Sequence, residues 1–187
     1  MSTNNLLLIL GAVYDPNHLS ILGIIHTALS VFAILAGLYA LYLSGRIDPK
    51  SSAGKWYIWL TILTCLTSLP IMKLGHPTAG HYLAIIIFIL LPIGIYARQL
   101  RIFGKLADYV QLIIMSFTLF LSFIPAIVET LTRLPISQPI ADGPDDPLLQ
   151  KFLSGLMLIF VIGVIYQIIK LRKSSRKTPP TLNSAVN

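Results

Sequence analysis

"LSILGIIHTALSVFAILAGLYALYL", residues 19–43, contains no Asp, Glu, Lys or Arg. At about 1.5 Å per residue, a helix of about 20 residues crosses the roughly 30 Å hydrocarbon layer of a bilayer, so this stretch is long enough. Four more stretches share its character: residues 56–74, 78–97, 109–131 and 148–171. Several contain Pro or Gly, which membrane helices tolerate better than soluble ones do. The pattern predicts an all-α integral membrane bundle of five transmembrane helices, with helices one to four as a core and the fifth packed outside it.

Composition points the same way. The 187-residue chain is 55% hydrophobic and 11% charged, with a mean hydropathy of +0.78, whereas soluble chains carry about a quarter charged residues. Three parts are expected. Residues 1–18 form an extracytoplasmic or interfacial segment, because their apolar run is short, has no basic residue before it and lacks a small-residue cleavage site after it. Residues 19–171 form the transmembrane bundle. Residues 172–187, "RKSSRKTPPTLNSAVN", read as a disordered basic cytoplasmic tail drawn to lipid headgroups.

The net charge of +7 would suit nucleic acid, but its distribution does not. Arg46, Lys50 and Lys55 lie between helices one and two, Arg98, Arg101 and Lys105 between three and four, and Lys170, Arg172, Lys173, Arg176 and Lys177 around the end of five. Only Lys73, Arg133 and Lys151 flank the other side, together with Asp15, Asp142, Asp145 and Asp146. This is the positive-inside bias. It places the N-terminus outside and the C-terminus in the cytoplasm, with the lipid bilayer as partner and no nucleic acid. Cys65, the sole cysteine, lies mid-helix and reads as a small buried hydrophobe.

Membrane helices associate through small and polar residues, since lipid is as apolar as leucine. On helix one, Gly23, His26, Ser30, Ala33, Gly37, Ala40 and Ser44 recur at spacings of three and four, which predicts an inward seam carrying His26. On helix four, Gln111, Met115, Thr118, Ser122, Pro125 and Glu129 form a matching polar face. Thr61, Thr64 and Ser68 add a shorter stripe on helix two.

The topology then gathers ionisable residues near the outer surface: His26, then His76 and His81 in the outer turn, and Glu129 with Arg133 at the end of helix four. Glu129 is the only glutamate in the chain. An ionisable group inside a membrane costs about 2.5–3.5 kcal/mol even on lenient scales, which makes it a functional candidate. The bland alternatives are an i, i+4 ion pair between Glu129 and Arg133, a snorkelling Arg133, and hydroxyls bonded to their own helix. His76 and His18 read as interfacial residues without a ligand role. The leading expectation is a cofactor site with His26 and His81 as ligands to haem b, or His26, His81 and Glu129 as ligands to a transition metal ion. Arg133, Thr130, His76 and Ser30 would support them, Ser30 helping to make room for a flat macrocycle. A proton-coupled solute or ion pathway along helix four is the second expectation. The third is a non-catalytic subunit packed against other membrane subunits or a second copy of itself. Hydrolytic motifs such as G-x-S-x-G or H-E-x-x-H are absent from the sequence.

The segments "IHTALSVFAILAGLYAL" (25–41), "GKWYIWLTILTCLTSLPI" (54–71), "GHPTAGHYLAI" (75–85) and "PAIVETLTRLP" (125–135) resemble a group of bacterial inner-membrane proteins classed as a domain of unknown function. "ETLTRLP" is the most distinctive piece. The resemblance spans about residues 24 to 170. It implies a multi-pass inner-membrane location and a polar signature at His26, His81, Glu129, Thr130, Arg133 and Pro135, and it names no reaction.

Overall fold

The computed structural model describes residues 21–71, 76–135, 138–143 and 145–177. Five α-helices follow one another: α1 Ile21–Ser44, α2 Ser52–Ser68, α3 Ala79–Tyr96, α4 Ala107–Arg133 and α5 Pro147–Lys177, with a short 3-10 turn at Arg101–Leu106 leading into α4. No strand occurs among the described residues. Four of the helices, all but α2, are long and apolar enough to cross a membrane.

The second stretch departs most from its expected bounds. Ser51 caps α2, its Oγ accepting from the Gly54 N–H at 3.0 Å, so the helix starts four residues before position 56. It stops at Ser68 rather than 74, just before Pro70, whose ring and missing N–H obstruct a continuing helix. Its 17 residues rise about 25 Å, short of the roughly 30 Å hydrocarbon layer. At the other end of the chain, α5 runs through Lys177, into the segment expected as a disordered tail. Lys and Arg are good helix formers and are favoured at the negative end of the helix dipole. The interfacial segment expected at 1–18, with His18, lies outside the described residues, as does Lys73.

Sequence chemistry fixes the start of α5 as well. Asp146 precedes Pro147, a residue suited to a first helical turn. Its carboxylate accepts from the N–H of Leu148 at 2.7 Å and of Asp142 at 3.0 Å. The Asp142 and Leu148 backbone donors hold this carboxyl below the ordinary aspartate value.

The largest interface joins α1 to α2, followed by α3 with α4 and α4 with α5; α2–α3 and α1–α4 are lighter. Helix α4 is therefore central. Close approach depends on glycine at two places. A Cβ on Gly37 of α1 would stand 2.8 Å from Leu119 Cδ1 and 3.0 Å from Tyr57 Cδ2. One on Gly94 of α3 would stand 2.9 Å from Met115 Sδ. Tyr57, Leu91, Met115 and Leu119 form the core there. α5 lays Phe160 against Phe120 of α4, ring centroids 4.7 Å apart.

Candidate functional site

Much of the expected seam on α1 is buried: Gly23, Ala33, Gly37 and Ala40 face inward, joined by Ile34. Ser30 and His26 are half-buried and Ser44 is exposed. The partner of His26 is α2. Its Nδ1 lies 3.1 Å from the Thr64 carbonyl oxygen and 3.1 Å from Thr67 Oγ1. A carbonyl only accepts, so Nδ1 carries the proton in this arrangement, and the neutral ring has its basic lone pair on Nε2.

His81 is set the other way. It occupies the third position of α3, with Thr78 as N-cap. Its Nδ1 lies 3.0 Å from the Thr78 backbone nitrogen, taking the part that Glu or Gln plays in a capping box. An N–H can only donate, so Nδ1 is the acceptor and the proton of the neutral ring sits on Nε2. The residue is 6% exposed. Its Nε2 is buried and, among the described residues, without a hydrogen-bond partner.

The seam between α2 and α3 holds a cavity of about 80 Å³, lined by Cys65, Leu66, Leu69, Ala84, Ile85 and Phe88. His81 stands three, four and seven residues before Ala84, Ile85 and Phe88, one to two turns along the same helix, and is not one of the residues lining the cavity.

The structure does not bring the expected ligands together. Glu129 pairs with Arg133 on its own helix, Nε to Oε2 2.5 Å, with side chains 56% and 40% exposed. The face that carries Glu129 is buried from Gln111 to Thr118, half-buried at Ser122 and Pro125 and exposed at Glu129, while Leu131 on another side of α4 packs with Leu149 of α5. Thr130 is exposed and bonds the Ala126 carbonyl. Ser30 bonds the Thr27 carbonyl. His76 is exposed, its ring nitrogen against the Pro77 carbonyl. Among the described residues, no three His, Cys, Asp or Glu side chains gather closely enough to hold a metal ion. The expected metal set of His26, His81 and Glu129 is thus not gathered in the described residues.

A haem iron or metal ion needs an unprotonated imidazole nitrogen. His26, donating Nδ1–H to a carbonyl, has the arrangement metal-bound histidines adopt. His81 does not, because capping puts its proton on the nitrogen that would have to ligate. The pair therefore does not fit bis-histidine ligation.

Closer to the α1–α2 and α3–α4 connections, the bundle holds polar pairs of a different kind. The Tyr57 hydroxyl lies 2.9 Å from Thr118 Oγ1, both fully buried. Gln111 Nε2 donates to the Gly94 carbonyl at 3.0 Å and more weakly to that of Ile95. Ser116 donates to Gln167 Oε1 at 2.9 Å. Reasoning from sequence missed Tyr57 and Ser116. A tyrosine inside an apolar run, whose hydroxyl needs a partner when buried, was the available signal. These contacts tie the first part of the polar face of α4 to neighbouring helices.

Comparison with protein-family models, with curated proteins and with solved structures finds no match for this chain.

Proposed function

We propose that the chain is a multi-pass protein of the bacterial inner membrane, with five spans, the N-terminus outside and the C-terminus in the cytoplasm. Its function in this reading is to hold a membrane-borne small molecule at the outer end of the bundle. Charge placement supports the orientation: basic residues cluster at the α1–α2 and α3–α4 connections and the end of α5. Helix α2, although short, is accommodated as a span by local thinning of the bilayer and by snorkelling of Lys55 near its start.

One observation carries the ligand reading. A buried polar group without a hydrogen bond costs about 1–3 kcal/mol, and nearly all such groups in folded proteins are satisfied. The Nε2–H of His81 is such a donor, buried and without a hydrogen-bond partner among the described residues. A bound hydrogen-bond acceptor would remove the cost. Haem b and transition metals fit this site less well, because the proton occupies the ligating position. Nor does a proton-coupled pathway draw support from α4, whose inner polar groups are tied to neighbouring helices.

The test is to purify the full chain, record its absorption spectrum and metal content, and identify co-purified small molecules by extraction and mass spectrometry. The expected result is an organic ligand that His81→Phe loses, with no Soret band and no stoichiometric metal. A Soret band abolished by His81→Ala would contradict the proposal.

A further inference from the structure

We infer that the groove between α1 and α2 seats one chain of an anionic phospholipid, whose phosphate is held by Lys50 and Lys55. This site lies apart from His81 and does not depend on the ligand-binding reading above.

The groove is an opening of about 520 Å³ between Phe32, Leu35 and Tyr39 of α1 and Ser52, Trp56 and Leu60 of α2. Small-molecule clefts span about 300–1,000 Å³. Ser52, the first residue of α2, is the only residue of the lining whose side chain is neither aliphatic nor aromatic. Leu60 stands about 12 Å further along the helix axis. The groove therefore has a polar end at the α1–α2 connection and an apolar run leading away from it. Its occupant must match both, as a hydrocarbon chain with a polar head does.

The charge of that head follows from the connection. Asp48 is the only carboxylate in residues 45–51, and it is already engaged. Arg46 Nη2 donates to its Oδ2 at 3.2 Å, and the Lys50 backbone N–H to its Oδ1 at 2.9 Å. Lys50 and Lys55 are exposed, and their ammonium groups have no ion-pair partner among the described residues. Neither lines the groove; both stand at its polar end. Lys55 follows Ser52 at the i, i+3 spacing of neighbouring side chains on a helix, and Lys50 precedes it in the turn. Lys170 of α5 reaches the same connection, its Nζ 2.6 Å from where a Cβ on Gly45 would stand. Cations without a free carboxylate suit a lone phosphate better than a zwitterionic head, which brings a cation of its own. Basic pockets between membrane helices take anionic heads in this way. Tyr42, Trp56 and Trp59 are exposed here. Such aromatic side chains settle at headgroup level, which sets the two lysines at the depth of the phosphates.

Trp56 and Trp59 are the only tryptophans in the chain, so intrinsic fluorescence reports on this face alone. The full chain carrying Trp59→Phe, which leaves Trp56 as sole reporter, is reconstituted in phosphatidylcholine vesicles. Phosphatidylglycerol or phosphatidylcholine brominated on its acyl chains is added, and quenching is followed against mole fraction. Brominated phosphatidylglycerol is expected to quench at about one fifth of the mole fraction that brominated phosphatidylcholine needs, the worth of one lysine near a membrane surface. Lys50→Gln with Lys55→Gln removes that preference. So does Ala36→Leu, which fills the groove, of whose lining Ala36 is part, and leaves every charge in place. Arg101→Gln with Lys105→Gln, an equal loss of exposed charge at the α3–α4 connection, leaves the preference unchanged. Equal quenching by the two lipids overturns the proposal. So does a preference that the Arg101 and Lys105 substitutions also remove, or one that Ala36→Leu spares, because either would be attraction to charge without a seat. Quenching by neither lipid, the sign of a second copy or another protein covering Trp56, overturns it as well.

Discussion

The two ends of this bundle use polar residues in opposite ways. Towards the α1–α2 and α3–α4 connections Tyr57, Gln111, Thr118, Ser116 and Gln167 are buried and matched across helices, donor to acceptor. At the opposite end Glu129 and Arg133 pair at an exposed surface. There the two described imidazoles that pack inward are held in opposite proton arrangements, His26 by a carbonyl and His81 by an N–H. The matched groups fix how helices meet. At the other end a buried donor, His81 Nε2–H, has no hydrogen-bond partner among the described residues. Polarity within a membrane bundle is therefore no single signal: what each group is bonded to separates structural cement from a binding position.

The contrast can be broken by substitution, and the largest effect belongs to the end with the matched groups. Gly37→Leu forces a side chain into Leu119 and Tyr57. It should destabilise the bundle by about 3 kcal/mol or more, read as loss of monodisperse protein in detergent and a lower thermal midpoint. Next comes Thr118→Val, which strands the buried Tyr57 hydroxyl. Interhelical hydrogen bonds in membranes average about 0.6 kcal/mol and reach about 1.7, so a loss of about 1 kcal/mol in reversible unfolding is expected. Paired with Tyr57→Phe in a double-mutant cycle, the two losses should not add.

Substitutions at the opposite end sharpen the comparison by doing little to stability. Glu129→Gln removes an exposed, screened pair and should cost less than about 0.5 kcal/mol. A loss as large as that of Thr118→Val would place Glu129 inside the bundle. Smallest is the Asp146 cap. Its carboxyl is held below the ordinary aspartate range by backbone donors from Asp142 and Leu148. The contribution is therefore complete above the unfolded value near 3.9 and lost as pH falls through the lower folded one. Asp146→Asn should abolish that acid-limb sensitivity, measured by amide exchange in the first turn of α5, and leave neutral pH unchanged.

Much of the architecture was legible in the sequence because hydropathy and small-residue spacing report on single helices. The α1 seam through Gly23, Ala33, Gly37 and Ala40 is buried as its spacing required. The start of α5 could be read from Asp146–Pro147. What could not be read is azimuth between helices. Nothing in the α1 sequence says that His26 meets Thr64 and Thr67 rather than Glu129. Nothing in the α4 stripe says that its last turns bury Leu131 against Leu149 of α5 and leave Glu129 exposed. His81 was a missed local reading: Thr78 and His81 stand in N-cap and N3 positions. An imidazole can fill the capping role usually given to Glu or Gln, and that role settles its proton.

The most direct test concerns that proton. Nitrogen-15 spectra of imidazole-labelled protein in a bilayer, at a pH where the ring is neutral, assign the tautomer of each histidine, with His81→Phe and His26→Phe identifying the signals. His81 is expected to carry its proton on Nε2 and His26 on Nδ1. A His81 ring protonated on Nδ1, or shifted by a metal ion bound at Nε2, would contradict the account.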